Sequence, residues 1–162
     1  MTIILAADCD WAIGKSGGLL AHIPADMKFF RETTQNSTVV MGRKTWDSFP
    51  KKPLPNRVNC VISRSVKALD GALVFGSVED FLQYAKTAEG KIFVIGGGEI
   101  YRQLLPYCDE AFITRIYECF DGDVFFKDLE QDKSWELAEA SPAVESECRT
   151  IRFFRYVRKT KP

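Results

Sequence analysis

The stretch Ile92-Phe93-Val94-Ile95-Gly96-Gly97-Gly98-Glu99-Ile100-Tyr101 decides the fold class. Its first four residues form an unbroken apolar run, which is typical of a strand that is buried on both faces. The residues after the three glycines predict a helix over 99–105. A strand, a tight turn and a helix in this order are the repeating unit of a parallel sheet that is covered by helices.

The same unit recurs along the chain, and we therefore predict an α/β fold. The expected architecture is a single domain over residues 1–162, with a central mixed, mostly parallel sheet of about eight strands, helices on both faces and a C-terminal antiparallel hairpin. Alternation of apolar and polar residues over 135–140 and 151–158 predicts the hairpin. The other predicted strands are 2–8, 38–41, 58–62, 73–75, 91–95 and 110–117, and the other helices are 25–35, a short one after residues 42–46 that ends at Pro50, and one from a Ser77 cap to about 86.

Composition limits the classes of function. Hydrophobic residues make up 46 % of the 162 residues and charged residues 27 %, as in soluble globular proteins. Lys+Arg and Asp+Glu are 22 each, so no global field draws the chain to nucleic acid or to a membrane, and any anion site must be local. No apolar run is long enough for a transmembrane helix, and the N-terminus lacks the features of a signal peptide. We expect a cytoplasmic protein.

The cysteines predict free thiols. There are five of them, at positions 9, 60, 108, 119 and 148, which is an odd number without any C-x-x-C pair. This pattern favours a reducing cytosol over a disulfide framework or a zinc site. The single histidine, His22, makes a His-based metal centre or hydrolase triad improbable.

Three turns are candidates for phosphate binding. Gly96, Gly97 and Gly98 exceed what a strand–helix turn requires, and they allow backbone amides to approach a phosphate, although the G-x-G-x-x-G fingerprint is absent. Gly42-Arg43-Lys44-Thr45 and Ser63-Arg64 also follow strands, and each alone equally fits a solvated basic turn. All three turns would meet at the carboxyl edge of the sheet, where open α/β sheets bind ligands. The two arginines favour NADPH over NADH because each can bind an additional phosphate through two hydrogen bonds.

Asp26 is the candidate proton-handling group. It lies in Ile23-Pro24-Ala25-Asp26-Met27-Lys28-Phe29-Phe30, at the start of a helix with an apolar face. An acidic residue in a first helical turn can simply stabilise the helix. Beside an apolar cleft, however, its pKa would rise through desolvation, which suits general-acid work or pairing with a planar cationic ring.

Arg57 is a second candidate site residue. It is either a surface residue or a guanidinium that binds a substrate carboxylate through two hydrogen bonds.

Taken together, these segments resemble dihydrofolate reductases of the bacterial chromosomal type over nearly the whole chain. The resemblance implies reduction of 7,8-dihydrofolate to tetrahydrofolate by NADPH. It rests on six motifs in the expected order and spacing: Ile13-Gly14, Pro24-Ala25-Asp26, Val40-Met41-Gly42-Arg43-Lys44-Thr45-Trp46, Pro53-Leu54-Pro55-Asn56-Arg57, Ile95-Gly96-Gly97-Gly98 and Gly122-Asp123.

The resemblance also implies a role for each matching residue. Asp26 would pair with the pterin ring and promote protonation of N5, with support from Thr114, and Arg57 would bind the glutamate α-carboxylate. Residues 9–23 would form a lid, and residues 121–123 would latch it. The other implied substrate contacts are Ile4, Leu5, Met27, Phe30, Phe49, Leu54, Ile95 and Tyr101. The implied cofactor contacts are Ala6, Ile13, Gly14, Gly42, Arg43, Lys44, Thr45, Ser63, Arg64, Ile95, Gly96, Gly97, Gly98, Glu99, Ile100 and Tyr101.

Two positions depart from the family pattern. Leu20-Ala21 replaces the usual Pro-Trp, which predicts a roomier or wetter pocket and a changed affinity for antifolates such as trimethoprim. Val124 stands where a Thr is common.

Two functions are alternatives to dihydrofolate reduction. One is that of another pteridine or pyrimidine reductase on the same fold, such as the reductase of riboflavin synthesis, and the other is that of a non-catalytic protein that binds folate or NADPH. The expected protein is a monomer that binds dihydrofolate and antifolates, without nucleic acid, membrane or metal.

Overall fold

A mixed β-sheet forms the centre of the molecule, in a computed structural model that describes residues 1–159; residues 160–162 of the predicted domain lie outside the described part. The strands are β1 (Thr2–Ala7), β2 (Ala12–Gly14), β3 (Thr38–Gly42), β4 (Val58–Ile62), β5 (Leu73–Phe75), β6 (Ile92–Gly96), β7 (Glu110–Ile116), β8 (Val124–Phe125), β9 (Trp135–Ala140), β10 (Val144–Ser146) and β11 (Arg149–Arg158). The helices are α1 (Pro24–Thr34), α2 (Arg43–Ser48), α3 (Val78–Ala85), α4 (Gly98–Leu104) and a 3₁₀ turn (Leu105–Tyr107).

The sheet topology confirms the predicted α/β fold. The strand order is β10-β11-β7-β1-β6-β3-β4-β5, and β9 also pairs with β11. The six neighbouring strands β7, β1, β6, β3, β4 and β5 are parallel to one another. Strand β11 is antiparallel to β7, β9 and β10. The predicted C-terminal hairpin is therefore present. Strands β2 and β8 form a separate two-stranded sheet that the sequence did not predict.

Helices cover both faces of the sheet. One apolar cluster joins α3 and α4 to the sheet through Phe81 and Leu104, both fully buried. The other joins α1 and α2 through Phe30 and Trp46. Burying a side chain of this size contributes about 1.5–3 kcal/mol. The Ser77 cap is confirmed, since its Oγ accepts a hydrogen bond from the Asp80 amide (3.1 Å). No helix within residues 1–159 is long and apolar enough to cross a membrane.

The register of the central strands leaves a gap between β1 and β6. Strand β1 pairs with β7 along six residues, from Thr2 to Ala7. It pairs with β6 only at Thr2 and Ile3. Beyond Ile3 the two strands no longer pair, and the gap opens at the carboxyl edge of the sheet. Strand order also changes direction here, because the chain builds β3, β4 and β5 on one side of β1 before it adds β7 on the other.

The prediction of free thiols is wrong for one pair. Cys9 and Cys119 are joined in a disulfide although they are 110 residues apart in sequence. The pairing of β1 with β7 explains this contact. Ala7 lies opposite Arg115, so the segments that follow the two strands leave the sheet side by side. Cys60, Cys108 and Cys148 are free, as predicted.

Candidate active site

The glycine turn and strand β1 lie on opposite sides of the gap between β1 and β6. The Tyr101 hydroxyl donates a hydrogen bond to the Ile4 carbonyl oxygen across this gap (2.8 Å). Burial, together with the nearby Asp26 carboxylate, holds the pKa of Tyr101 well above its ordinary value, so the hydroxyl remains a donor. At Gly96, φ is +133°, a backbone conformation that L side chains rarely adopt. The turn thus requires glycine at this position.

Asp26 lies in the first turn of α1 beside this gap. Its side chain keeps part of its surface in the open cleft, while protein atoms surround most of the carboxyl group. Burial raises the pKa of Asp26, and a hydrogen bond with the Thr114 hydroxyl opposes this shift in part. Thr114 is 1 % exposed on β7 and pairs with Ala6 of β1. The structure therefore brings Asp26 and Thr114 together and gives the carboxyl group a greater tendency to hold a proton.

The predicted apolar wall is partly assembled on one face of the sheet. Ile4 and Ile95 belong to the cluster of α1 and α2, and Phe30, Phe49 and Leu54 pack against it. These five side chains form one apolar cluster, and Phe30 lies one helical turn after Asp26 on α1.

Two predicted members of the wall are placed differently. Leu5 belongs to the cluster on the opposite face, because successive side chains of a strand alternate, so a ligand beside Ile4 would meet only its backbone. Met27 is 39 % exposed and belongs to neither cluster. An exposed side chain directly after Asp26 is free to cover a ligand.

The guanidinium of Arg57 is held in place at the end of the proline-containing loop 50–57. Its Nε donates to Thr34 Oγ1 (2.8 Å), its Nη1 to the Pro55 carbonyl (2.7 Å) and its Nη2 to the Arg31 carbonyl (2.9 Å). A guanidinium has five N–H groups, so one N–H remains on each Nη. Partial burial and the charge of Arg31 lower the pKa of Arg57, which still stays charged. Two parallel N–H groups suit a carboxylate.

Asn59 is a positioning residue that the sequence analysis missed. It is 3 % exposed on β4. Its Nδ2 donates to the carbonyl oxygens of Leu54 (3.0 Å) and Arg57 (3.1 Å), and its Oδ1 accepts from the Leu54 amide (3.0 Å). The side chain therefore fixes both ends of the loop that presents Arg57. The signal was one polar residue within an apolar strand, because a buried amide requires partners.

We predict that Asn59→Ala destabilises the protein. The substitution removes three hydrogen bonds and leaves backbone groups of the loop without partners, which costs about 1–3 kcal/mol. Urea denaturation of the variant should show this loss. Gln83→Ala, which removes an exposed amide from α3, should stay within about 0.5 kcal/mol of the parent. Equal stabilities of the two variants would contradict the assigned role.

The basic turns differ in whether their charged side chains already form ion pairs within the protein. Arg43 Nε donates to both carboxylate oxygens of Asp47 (3.0 Å each), so its charge is already paired within α2. Lys44 and Arg64 are exposed and form no ion pair within residues 1–159. Ser63 Oγ accepts from the amides of Ser65 and Val66 (3.3 Å each) and so shapes its turn. Among residues 1–159, Lys44 and Arg64 are thus two cations at this edge that form no ion pair.

Other predicted contacts gather around the glycine turn. A Cβ at Gly42 would lie 3.1 Å from Ile100 Cγ1, and one at Gly96 would lie 3.2 Å from Thr45 Oγ1. Two more glycines, Gly97 and Gly98, follow without side chains to fill the space beside Thr45. Glu99 is engaged with Arg102 and Gln103 on the exposed side of α4.

The predicted lid, residues 9–23, lies against the loop 117–123, which contains the predicted latch residues 121–123 and which we call the latch loop. Ser16 N donates to Asp123 Oδ2 (3.0 Å), Asp123 N donates to the Gly14 carbonyl (3.0 Å), and Lys15 Nζ donates to the Phe120 carbonyl (3.1 Å). Ser16 and Gly17 both have positive φ, as a two-residue hairpin turn requires. The structure therefore brings the lid and the latch loop together.

The two departures from the family pattern are accommodated by packing. Ala21 contacts the cluster of Ile23, Ile116 and Ile151. Val124 packs against the glycine turn, since a Cβ at Gly98 would lie only 2.6 Å from its Cγ1. The latch loop thus continues into a strand that touches the predicted phosphate turn. Ile13 packs against the core beneath this strand.

Comparisons with known proteins agree with this arrangement. A family model described as dihydrofolate reductase matches residues 1–158. The dihydrofolate reductase of Haemophilus influenzae is 36 % identical, and the match covers 98 % of each protein. A bifunctional dihydrofolate reductase-thymidylate synthase of Daucus carota is 37 % identical over 96 % of this chain, which spans 33 % of that longer protein.

A solved structure shows the same likeness in three dimensions. It is a dihydrofolate reductase from Enterococcus faecalis complexed with NADP(H) and RAB-propyl. It matches with a TM-score of 0.88 and 37 % sequence identity, and it covers 98 % of this chain and 96 % of its own. The family match includes the helix of Asp26, the loop of Arg57 and the glycine turn alike, and this chain therefore belongs to the dihydrofolate reductase family.

Proposed function

We propose that Asp26 is the catalytic carboxylate of this NADPH-dependent dihydrofolate reductase, and that the cleft between β1 and β6 holds substrate and cofactor. The observation that carries the proposal is a carboxyl group whose pKa burial raises, with the buried Thr114 hydroxyl close by, on a helix that packs against an apolar wall. The reaction is the reduction of 7,8-dihydrofolate to tetrahydrofolate. Neither alternative, a riboflavin-type reductase or a non-catalytic binding protein, is favoured by the family match.

The residues around the glycine turn fit NADPH. A Cβ on Gly96, Gly97 or Gly98 would meet Thr45 Oγ1 or Val124, so side chains at the turn would fill the space beside Thr45. Lys44 and Arg64 supply positive charge, and Tyr101, Ile95 and Ala6 would border the nicotinamide. When bound, NADPH supplies the hydride for the reaction. The cofactor contacts of Gly42, Arg43, Ser63, Glu99 and Ile100 stay predictions.

Asp26 and Thr114 handle the proton and orient the pterin. Burial makes the carboxyl group hold a proton more readily, and the nearby Thr114 hydroxyl would orient its oxygen atoms. A planar ring with an amide-like edge can form two hydrogen bonds to such a carboxyl group. One acidic group in an apolar cleft then favours protonation of N5.

Arg57 and the apolar wall bind the rest of the substrate. The two remaining N–H groups of Arg57 suit the α-carboxylate of the glutamate. Phe30, Phe49 and Leu54 would contact the benzoyl group, with Met27 at the open side. The lid would exclude water from the cleft.

Further features of this proposal concern the whole protein. We infer that residues 1–162 form one domain that acts as a monomer in the cytoplasm. The balanced charge supports the absence of nucleic-acid and membrane partners. The same cleft would bind antifolates, and Ala21 would change the affinity for trimethoprim.

A steady-state assay of NADPH oxidation tests the function. We expect turnover with dihydrofolate and NADPH, slower turnover with NADH, and inhibition by trimethoprim. Turnover of a pyrimidine substrate of riboflavin synthesis in place of dihydrofolate would establish the first alternative. Tight binding of NADPH without any turnover would establish the second.

A further inference from the structure

The Cys9–Cys119 pair lies outside the catalytic site and joins two segments that matter for it. Cys9 is the first residue of the lid, and Cys119 lies in the latch loop. Their Cα atoms are 5.4 Å apart, within the range that a disulfide requires. Both residues are exposed, so a small thiol or disulfide reaches them from solvent. Exposed disulfides are typically the labile or regulatory ones.

The backbone holds the two cysteines in place without the disulfide. Cys9 N donates to the Glu118 carbonyl (3.2 Å). Asp8 is fully buried, and its carboxylate accepts from the amides of Asp10 (2.9 Å), Ala12 (3.0 Å) and Phe120 (3.0 Å). The bonds from Cys9 to Glu118 and from Phe120 to Asp8 join the start of the lid to the latch loop, and the other two hold the Asp8 carboxylate in place. The thiols would therefore stay close to each other after reduction.

The two buried cysteines do not compete for this chemistry, and the third can be substituted. Cys60 and Cys108 are buried, and burial raises the pKa of each thiol to about 12. Neither forms a thiolate readily at neutral pH. Cys148 is exposed at the turn between β10 and β11, where it remains a free thiol. A single substitution removes it from the experiment.

We propose that Cys9 and Cys119 form a reversible thiol–disulfide site that controls how firmly the lid is latched. The oxidant is a low-molecular-weight disulfide. One cysteine thiolate attacks it and forms a mixed disulfide, releasing one small thiolate; the second cysteine thiolate then attacks the protein sulfur and releases the other. The two cysteines lose two electrons and two protons, and the small disulfide becomes two thiols. Excess thiol reverses both steps.

The direction of the effect follows from the contacts of the joined state. With the disulfide in place, Ser16 donates to Asp123, and Lys15 donates to the Phe120 carbonyl. A covalent link between the two segments raises the effective concentration of these partners for one another. Oxidation therefore stabilises the latched lid. Since β8 follows the latch loop and Val124 touches the glycine turn, the change reaches the proposed cofactor site.

The same side chains could instead bind a metal ion. Cys9, Cys119 and Asp10 offer ligand atoms within 4.8 Å of one another. A disulfide uses both sulfurs, so metal binding and disulfide formation exclude each other. All measurements are therefore made with EDTA present.

The first test uses Cys148→Ser protein, with glutathione in its oxidised or reduced form. We expect two accessible thiols after reduction and none after oxidation, with an intact mass lower by two hydrogen atoms and one peptide pair joining Cys9 to Cys119. Cys119→Ser in the same background should instead carry one stable glutathione adduct on Cys9. Separate adducts on Cys9 and Cys119 in the parent background would overturn the proposal.

The second test measures the lid. Hydrogen exchange of the amides of residues 12–18, without cofactor, should be slower in the oxidised form. NADPH release, followed by fluorescence, should be about 5-fold slower, at the lower end of usual coupling between sites. A Cys9→Ser/Cys119→Ser protein should respond to glutathione in neither measurement. Disulfide formation with unchanged amide exchange would contradict the proposal.

Only the release measurement rests on the proposed function. If neither redox form binds NADPH, the proposed cofactor site fails while the thiol and amide-exchange results still decide the inference. If both forms bind NADPH and release it equally fast, the control of the lid is wrong and the reductase assignment stands.

Discussion

Asp26→Asn is expected to lower turnover at neutral pH by about 10²–10⁴-fold, the range of a positioned proton-transfer group. Asn keeps the size of Asp and can accept a hydrogen bond from Thr114, but it cannot hold or give a proton at the pterin. NADPH affinity should change little, because the predicted phosphate contacts lie on other turns. Steady-state rates and NADPH titrations of both proteins measure the two effects. Unchanged turnover would remove Asp26 from the mechanism.

The same substitution is expected to stabilise the fold at neutral pH. Burial raises the folded pKa of Asp26 above its ordinary value of 3.8. Below pH 3.8 the carboxyl is protonated in both the folded and unfolded protein, and no penalty applies. As the pH rises through the raised folded pKa, the parent loses stability relative to the Asn variant. Urea denaturation should therefore show a gain for the variant at pH 7 that shrinks toward lower pH. A gain of equal size at all pH values would have another origin.

Arg57→Lys is expected to raise the KM for dihydrofolate by about 10- to 100-fold, which is the loss of one charged hydrogen bond. Lysine keeps the charge but lacks the planar fork, and it cannot reproduce the bonds to Thr34 and to the carbonyls of Pro55 and Arg31. The value of kcat should change far less, because Arg57 acts away from the reacting ring. Steady-state kinetics with dihydrofolate measure both quantities.

Two controls isolate the carboxylate contact of Arg57. A dihydropteridine substrate without the glutamate should react equally well with the parent and the variant. Arg155→Lys changes a residue of β11 that forms an ion pair with Glu110 of β7, and it should leave the KM for dihydrofolate unchanged. If Arg57→Lys weakens both substrates equally, the residue supports the loop rather than the carboxylate.

The layered architecture could be predicted because its strands are strong local signals. The boundaries of β4, β5 and β9 agree with the sequence-based expectation to the residue. Strands β2, β8 and β10 have only two or three residues, and none contains the three consecutive apolar residues that mark the equally short β5. They form because neighbouring segments bring them together, and such tertiary contacts cannot be predicted from a local sequence pattern.

The candidate site shows the same division. The proximity of Asp26 and Thr114 agrees with the resemblance, whereas the outward position of Met27 does not follow from its sequence. The opposite orientation of Ile4 and Leu5 was available from the alternation of a strand, since adjacent residues cannot line one face. The Cys9–Cys119 contact could not be predicted from the sequence, because it depends on the register of β1 against β7. Register is a property of the folded sheet.

The single-turnover rate of NADPH oxidation, measured across pH for the parent and Asp26→Asn, tests the central claim most directly. The account predicts a gap of about 10²–10⁴-fold at neutral pH that narrows in acid, where solvent protonates the substrate without help from the protein. Equal rates for the two proteins at neutral pH, or a gap that stays constant into acid, would contradict a proton-handling role for Asp26.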